Sequence, residues 1–170
     1  MSALLRWVLA AVLAALLSQF PAFSDHYVQR LGGQVDALTL VARDFDASAA
    51  RADLTRDEAL ADLSGSAFRE SHRADMLRAF GRLERAQADL TMLRLAGPLE
   101  RMVLPHRLRD ADTLRATWTD FRPAMPLTSS GLIAAGIGFA LGWVLALLLG
   151  RALGRIFGGS RRRDERLGWR

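Results

Sequence analysis

The sequence contains no cysteine and no lysine. Without cysteine there is no disulfide framework, no thiolate metal site, no cysteine nucleophile and no lipid anchor on a cysteine. An envelope location is permitted by that absence and not demonstrated by it. All 23 basic residues are arginine, which together with the abundance of Ala and Leu fits the codon bias of a GC-rich genome, so arginine enrichment carries little argument by itself. Histidine is scarce: His26, His72 and His106 stand far apart, with no His-x3-His spacing and no carboxylate pattern to complete a metal site. Ser71, His72 and Asp75 are suitable types for a nucleophilic triad, but near neighbours on one helix cannot converge on one reacting atom. Asp44 and Asp46 flank Phe45 and project to different helix faces, as solvated charges do. Gly136, Gly138 and Gly142 lie in an apolar run and not after a strand, so there is no phosphate loop. The expectation is a protein that is not an enzyme and has no metal or cofactor.

What is present is segregation. Hydrophobic residues make up 51% and charged ones 24%, with the apolar runs near the two ends and nearly all acids in the middle. Residues 131–150, GLIAAGIGFALGWVLALLLG, carry no charge. At about 1.5 Å per residue this helix spans about 30 Å, the thickness of a bilayer's hydrocarbon core. The tail 151–170 holds seven arginines, including Arg151, Arg155, Arg161, Arg162 and Arg163, against Asp164 and Glu165. The positive-inside rule puts that tail in the cytoplasm. Attraction to anionic lipid headgroups, about 1 kcal/mol per arginine near the surface, accounts for the tail. Nucleic acid is not expected, since aromatics are sparse among those arginines, with only Phe157 and Trp169 in the tail.

The N-terminal run, residues 7–23 after Arg6, satisfies both a cleavable signal and an uncleaved anchor. Pro21 between Phe20 and Phe23, and the even number of crossings needed if both ends are inside, favour the anchor. Pro21 is expected to end or bend this span, with Ser24 capping the helix that follows. Small residues recur every four positions, as Ala10, Ala14, Ser18 and Ala22 and as Ala134, Gly138, Gly142 and Ala146. Such ridges allow close backbone approach in lipid, although an alanine-rich composition yields the same spacing. Ala10, Ala14, Ser18, Gly138 and Gly142 are the candidate packing residues of the spans.

Residues 24–130 hold 15 Arg and 16 Asp or Glu and are nearly neutral. Val28, Leu31, Val35, Leu38, Ala42, Phe45, Ala49 and Ala52 alternate spacings of three and four, one apolar stripe on a long helix. Thr55-Arg-Asp-Glu58 is a capping box that opens a short helix, and Ser64-Gly65-Ser66 closes it and starts the next. Met76, Phe80, Leu83, Gln87, Leu90 and Leu93 mark a second long helix ending before Gly97-Pro98. After Pro105, an amphipathic stretch from Asp110 to Phe121 carries Leu114, Trp118 and Phe121. Gly32-Gly33 interrupts the first stripe at about 1 kcal/mol per glycine relative to Ala, which close approach of another backbone, from Trp118 or the second long helix, would compensate. Stripes this narrow pair helices but build little globular core.

Two blocks, Ser18-Gln-Phe-Pro-Ala-Phe23 with Tyr27-Val-Gln-Arg-Leu-Gly-Gly33, and Asp120-Phe-Arg-Pro-Ala-Met-Pro-Leu-Thr128 before a Gly-rich span, resemble the proteobacterial domain-of-unknown-function family 2937. The resemblance runs over nearly the whole chain and crosses the cleavage point of the signal reading without a break. It implies a small two-span membrane protein and supplies no reaction. Where the family pattern has an acidic residue after Pro21, this chain has Ala22.

The sequence therefore predicts an all-α protein in which two transmembrane helices flank an extracytoplasmic antiparallel helical hairpin or small bundle. Residues 1–6 form a cytoplasmic N-terminus, 7–23 the first span, 24–130 a periplasmic domain, 131–150 the second span and 151–170 the cytoplasmic tail. The location is the bacterial inner membrane, with both termini in the cytoplasm. Expected partners are membrane lipids and a protein partner or second copy. The role is an envelope scaffold or accessory subunit, with a periplasmic sensory or ligand-binding module as the alternative. Tyr27, Gln29, Arg30, Gly32, Gly33, Phe121, Arg122 and Pro123 are the candidate interaction block at the outer membrane face.

Overall fold

The computed structural model describes residues 3–123, 125 and 127–158, the last six as backbone only. Six α-helices account for most of them: α1 (Ala3–Ser18), α2 (Phe20–Arg51), α3 (Arg56–Asp62), α4 (Ala67–Leu95), α5 (Ala111–Asp120) and α6 (Ser129–Gly158). Two short 3-10 turns, Glu100–Val103 and Pro105–Arg107, join α4 to α5. The fold is all-α, with two long apolar helices flanking the others. Two helical stretches are long and apolar enough to cross a membrane, one in the run Ala3–Arg51 and one at Ser129–Ala152. The chain divides into two compact units, one formed by residues 1–22 with 122–170 and the other by Phe23–Phe121.

In the first unit α1 packs along α6. Leu13 and Ala14 face Gly138, while Leu9 and Ala10 face Gly142. Register thus falls by four on one helix as it rises by four on the other, so the pair is antiparallel. Ala10, Ser18, Ala134 and Ala146 are buried, whereas Leu4, Val8, Leu16, Leu132, Leu141 and Leu148 are exposed. Small residues inside and large apolar ones outside is the arrangement of helices that associate in lipid, where burial from water supplies no drive between them. Beside the seam Trp7 packs edge-on against Trp143, with ring centroids 5.1 Å apart.

The second unit is a long hairpin. Gly32 of α2 neighbours Arg94 of α4 and Phe45 meets Phe80, so α2 and α4 run antiparallel. The apolar stripe of α2 forms the seam: Tyr27, Leu31 and Val35 pack with Ala86, Leu90, Leu93 and Leu108. Gln87, expected in the stripe of α4, is exposed, and Ala86 and Asp89 hold the buried face instead. At the far end Thr55 caps α3 in a full capping box with Glu58. Arg56 forks onto Asp46 at 2.7 and 2.5 Å and lies 4.6 Å above the Phe80 ring. Gly65 takes a φ of 83°, the left-handed value that suits glycine, before Ser66 caps α4.

Three local expectations are corrected. The helix is interrupted at Gln19, just before Pro21, where the first span is expected to end or bend, but Ser24 does not cap the helix that follows: α1 stops at Ser18, α2 begins at Phe20, and Ser24 is buried inside it. Proline is tolerated there because the N–H it lacks has no intrahelical acceptor in a first turn. No backbone closes on Gly32-Gly33, since a Cβ on Gly32 would meet only the Arg94 guanidinium at 3.0 Å and one on Gly33 would meet nothing within 4 Å. Finally, α5 turns Thr113 and Thr117 inward and leaves Leu114 and Trp118 exposed, Trp118 by 76%.

Candidate functional site

The polar chemistry of the second unit gathers where α4 meets the turn into α5. Asp89 on α4 has a carboxylate only 5% exposed, yet two guanidiniums hold it: Arg107 Nη1 at 3.1 Å and Arg109 Nε at 2.7 Å. A buried carboxylate persists only when paired in this way. Two turns earlier, Arg82 donates from Nε and Nη2 to both oxygens of Asp110, each at 3.0 Å, and reaches Asp112 at 2.8 Å. Asp110 is also the N-cap of α5, accepting from the Thr113 N–H at 2.9 Å. Gln34 stands between Thr113 and Arg82; both are satisfied when its NH2 faces the Thr113 hydroxyl and its oxygen accepts from Arg82 at 2.6 Å.

Tyr27, the only tyrosine, lies fully buried behind this network, its hydroxyl accepting from the Asp110 N–H at 3.2 Å. Burial pushes the phenol up to about 12, the Asp110 N–H opposing and the Asp110 and Asp89 charges reinforcing the effect. Burial also acts to raise the Asp110 carboxyl, but the Arg82 fork and the Thr113 bonds outweigh it and hold the group below its usual range. Arg82 is raised in turn, chiefly by its bond to Asp110.

Between these pairs lies an open cleft of about 350 Å³ lined by Arg82, Arg85, Asp89, Arg109, Asp110 and Asp112. Three positive and three negative side chains face it, and Arg85 has no ion-pair partner among the described residues. Such a surface can hold a small ligand bearing both charges. A further arginine fixes the base of the hairpin: Arg101, buried, donates from Nε to the Leu93 and Ala96 carbonyls at 2.8 and 3.1 Å and pairs with Asp25 at 2.5 Å. It closes the C-terminus of α4, where a cation is favoured.

The residues singled out in the sequence are distributed as follows. Tyr27 and Gly32 are buried in α2, while Gln29, Arg30 and Gly33 are exposed on it. Arg30 pairs with Asp120 at 2.5 Å, and the Phe121 ring packs edge-on to Phe23 and His26 at 5.5 and 5.8 Å. The start of α2 and the end of α5 are therefore together. Arg122 and Pro123 belong to the other unit and are exposed. Ala10, Ala14, Gly138 and Gly142 share the α1–α6 seam, and Ser18, buried, donates its hydroxyl to the Ala15 carbonyl at 2.7 Å. Arg151 is exposed; the Arg155 side chain and Arg161, Arg162 and Arg163 lie outside the described residues. No group of three or more metal-ligating side chains converges among the described residues.

Sequence reasoning missed the ion-pair network, because its members, such as Arg82 and Asp112, lie up to 30 positions apart on different elements. The one available signal was the dense Arg107-Leu-Arg-Asp110 stretch beside a predicted helix start. No curated protein and no solved structure matches the chain. Residues 1–159 match the family described as protein of unknown function (DUF2937). That match covers nearly all of the 170 residues, and the chain belongs to this family.

Proposed function

We propose that the protein is a non-enzymatic integral membrane protein of the bacterial inner membrane, an envelope scaffold or accessory subunit carrying a helical hairpin outside the cytoplasm. Residues 7–23 and 131–150 are its spans, residues 24–130 its periplasmic domain, and both termini are cytoplasmic. The supporting observation is the antiparallel seam of α1 on α6, which brings Arg6 to the same end as Gly150 and Arg151. Two spans that start and finish with arginine at one end satisfy the positive-inside rule together. The same seam occupies the small-residue ridges within one chain, so a protein partner or second copy is met elsewhere, while the exposed leucines and valines of both spans face lipid.

The absence of cysteine makes a direct test possible. With Glu84→Cys, a membrane-impermeant maleimide should label intact cells with a permeabilised outer membrane, and with Arg170→Cys it should label only after lysis. The opposite pattern would overturn the topology. Intact mass of the extracted protein should include residues 1–24, and crosslinking in native membranes should return a protein partner. The sensory or ligand-binding alternative is favoured by the charged cleft beside Asp89, and would be supported by a small ligand whose binding is abolished in Arg85→Ala.

A further inference from the structure

The far end of the hairpin holds a second cavity, separate from the charged cleft and different in chemistry. It is open, about 430 Å³ in volume, and lies among the end of α2, the turn that follows, α3 and α4. Its floor is apolar, with Phe45, Ala49 and Met76 among the lining side chains, and its rim carries Asp44, Asp62 and His72. The space exists because the α2 stripe ends in alanines. Ala49 and Ala52 are too short to reach across to α4, and α3 props the end open with Ala59 and Leu63. A cavity of this size accommodates a drug-sized molecule.

Its charge is unusual for this chain. Arginine pairs with Asp25, Asp46, Asp75, Asp89, Asp110, Asp112 and Asp120, yet none of the described residues lining this cavity is an arginine, and Asp44 and Asp62 have no ion-pair partner among them. An apolar floor under two uncompensated carboxylates complements one kind of ligand: an apolar body ending in a cation. An anion meets repulsion at the rim, and a small hydrated cation gains nothing from the floor.

We infer that this cavity is a binding site for a hydrophobic organic ammonium, its apolar part against Phe45 and Met76 and its ammonium between Asp44 and Asp62. The inference does not depend on the direction in which the spans are inserted.

The test uses the full-length chain in zwitterionic lipid nanodiscs, with empty nanodiscs as the partition control. Binding of a trifluoromethyl-phenethylammonium probe is followed by fluorine NMR, beside its neutral alcohol and carboxylate isosteres. The ammonium should bind, the alcohol more weakly and the carboxylate weakest. Asp44→Asn with Asp62→Asn should weaken the ammonium by about threefold to tenfold, the range of two exposed charge interactions, and leave the alcohol unchanged. Ala52→Phe, at an exposed lining position, should abolish both by filling the space. An unshifted Tyr27 titration serves as the control that the fold is intact. Equal binding of the carboxylate, indifference to the paired Asn substitutions, or no binding beyond the empty nanodisc would each overturn the inference.

Discussion

Gly142 of α6 lies directly against Ala10 of α1: a Cβ built on the glycine would come 2.6 Å from the Ala10 Cα and 2.9 Å from the Leu9 carbonyl oxygen. Four residues earlier, a Cβ on Gly138 would come 2.9 Å from the Ala14 Cα. These are main-chain obstacles, and main chain in the middle of a helix cannot swing aside as a flexible side chain can. The absence of two methyl groups therefore sets the distance between the apolar helices.

That contact makes a graded prediction. Gly138→Ala and Gly142→Ala should each lower the SDS-unfolding midpoint in mixed micelles, at a cost of about 1–3 kcal/mol as in other overpacked interfaces. Isoleucine at either position should cost more. Gly136→Ala is the matched control, since nothing lies within 4 Å of its Cβ position; it should be neutral or slightly stabilising. If the three alanine variants behave alike, the ridge reflects composition and not packing.

The glycine pair of α2 yields the opposite sign. Gly33 sits in a helix interior, exposed, with open space around its Cβ position. Gly33→Ala should stabilise the hairpin by about 0.5–1 kcal/mol, by restricting the unfolded chain and improving helix propensity. Gly32→Ala should gain less, because the Arg94 guanidinium at 3.0 Å must shift first. Thermal melts of the two variants read the difference. A loss of stability at Gly33 would mean that this face is covered by something in the functional state.

The helices, their caps and the small-residue ridges could be read from the sequence because each rests on local spacing: Thr55 with Glu58, Ser66, the stop before Gly97, and the four-residue repeats. The face of α5 could not be read that way. Leu114 and Trp118 promise a core, but the neighbours that tertiary packing supplies are polar, so Thr113 meets Gln34 and Asp120 meets Arg30. Propensity and pattern yield to such partners. The charged cleft was hidden for the same reason, since Arg82, Asp110 and Tyr27 become neighbours only after the hairpin has closed.

Asp89 is predicted to be the most sensitive polar position. It is the sole ion-pair partner of Arg107 and Arg109 among the described residues. Asp89→Ala should therefore destabilise by about 1.5–3 kcal/mol, the loss of charge-assisted hydrogen bonds from two arginines that keep 30% and 51% of their side chains exposed to solvent. Asp89→Asn preserves shape and some hydrogen bonding and should cost less. Denaturant unfolding followed by far-UV circular dichroism would order them, and equal effects would locate the loss in packing and not in charge.

Tyr27 offers a reporter that needs no label, because it is the only tyrosine in the chain. In the folded protein its phenolate absorbance near 295 nm should appear with a midpoint of about 12, and after unfolding near the ordinary 10.0. The folded state thus prefers the neutral phenol. The resulting stability is fully present below pH 10 and is lost as pH rises toward about 12, amounting to about 3 kcal/mol across that window. Asp110 acts at the other extreme: its carboxyl is lowered in the fold, so its contribution is present above 3.8 and is lost as pH falls through the folded value. Tyr27→Phe should abolish the alkaline signal and leave the Asp110 N–H without its acceptor, costing about 1–3 kcal/mol at neutral pH. Because Tyr27 joins the apolar seam to the charged cleft, a folded-state midpoint near 10 would show that the seam admits water and that the ion-pair network is not held as described.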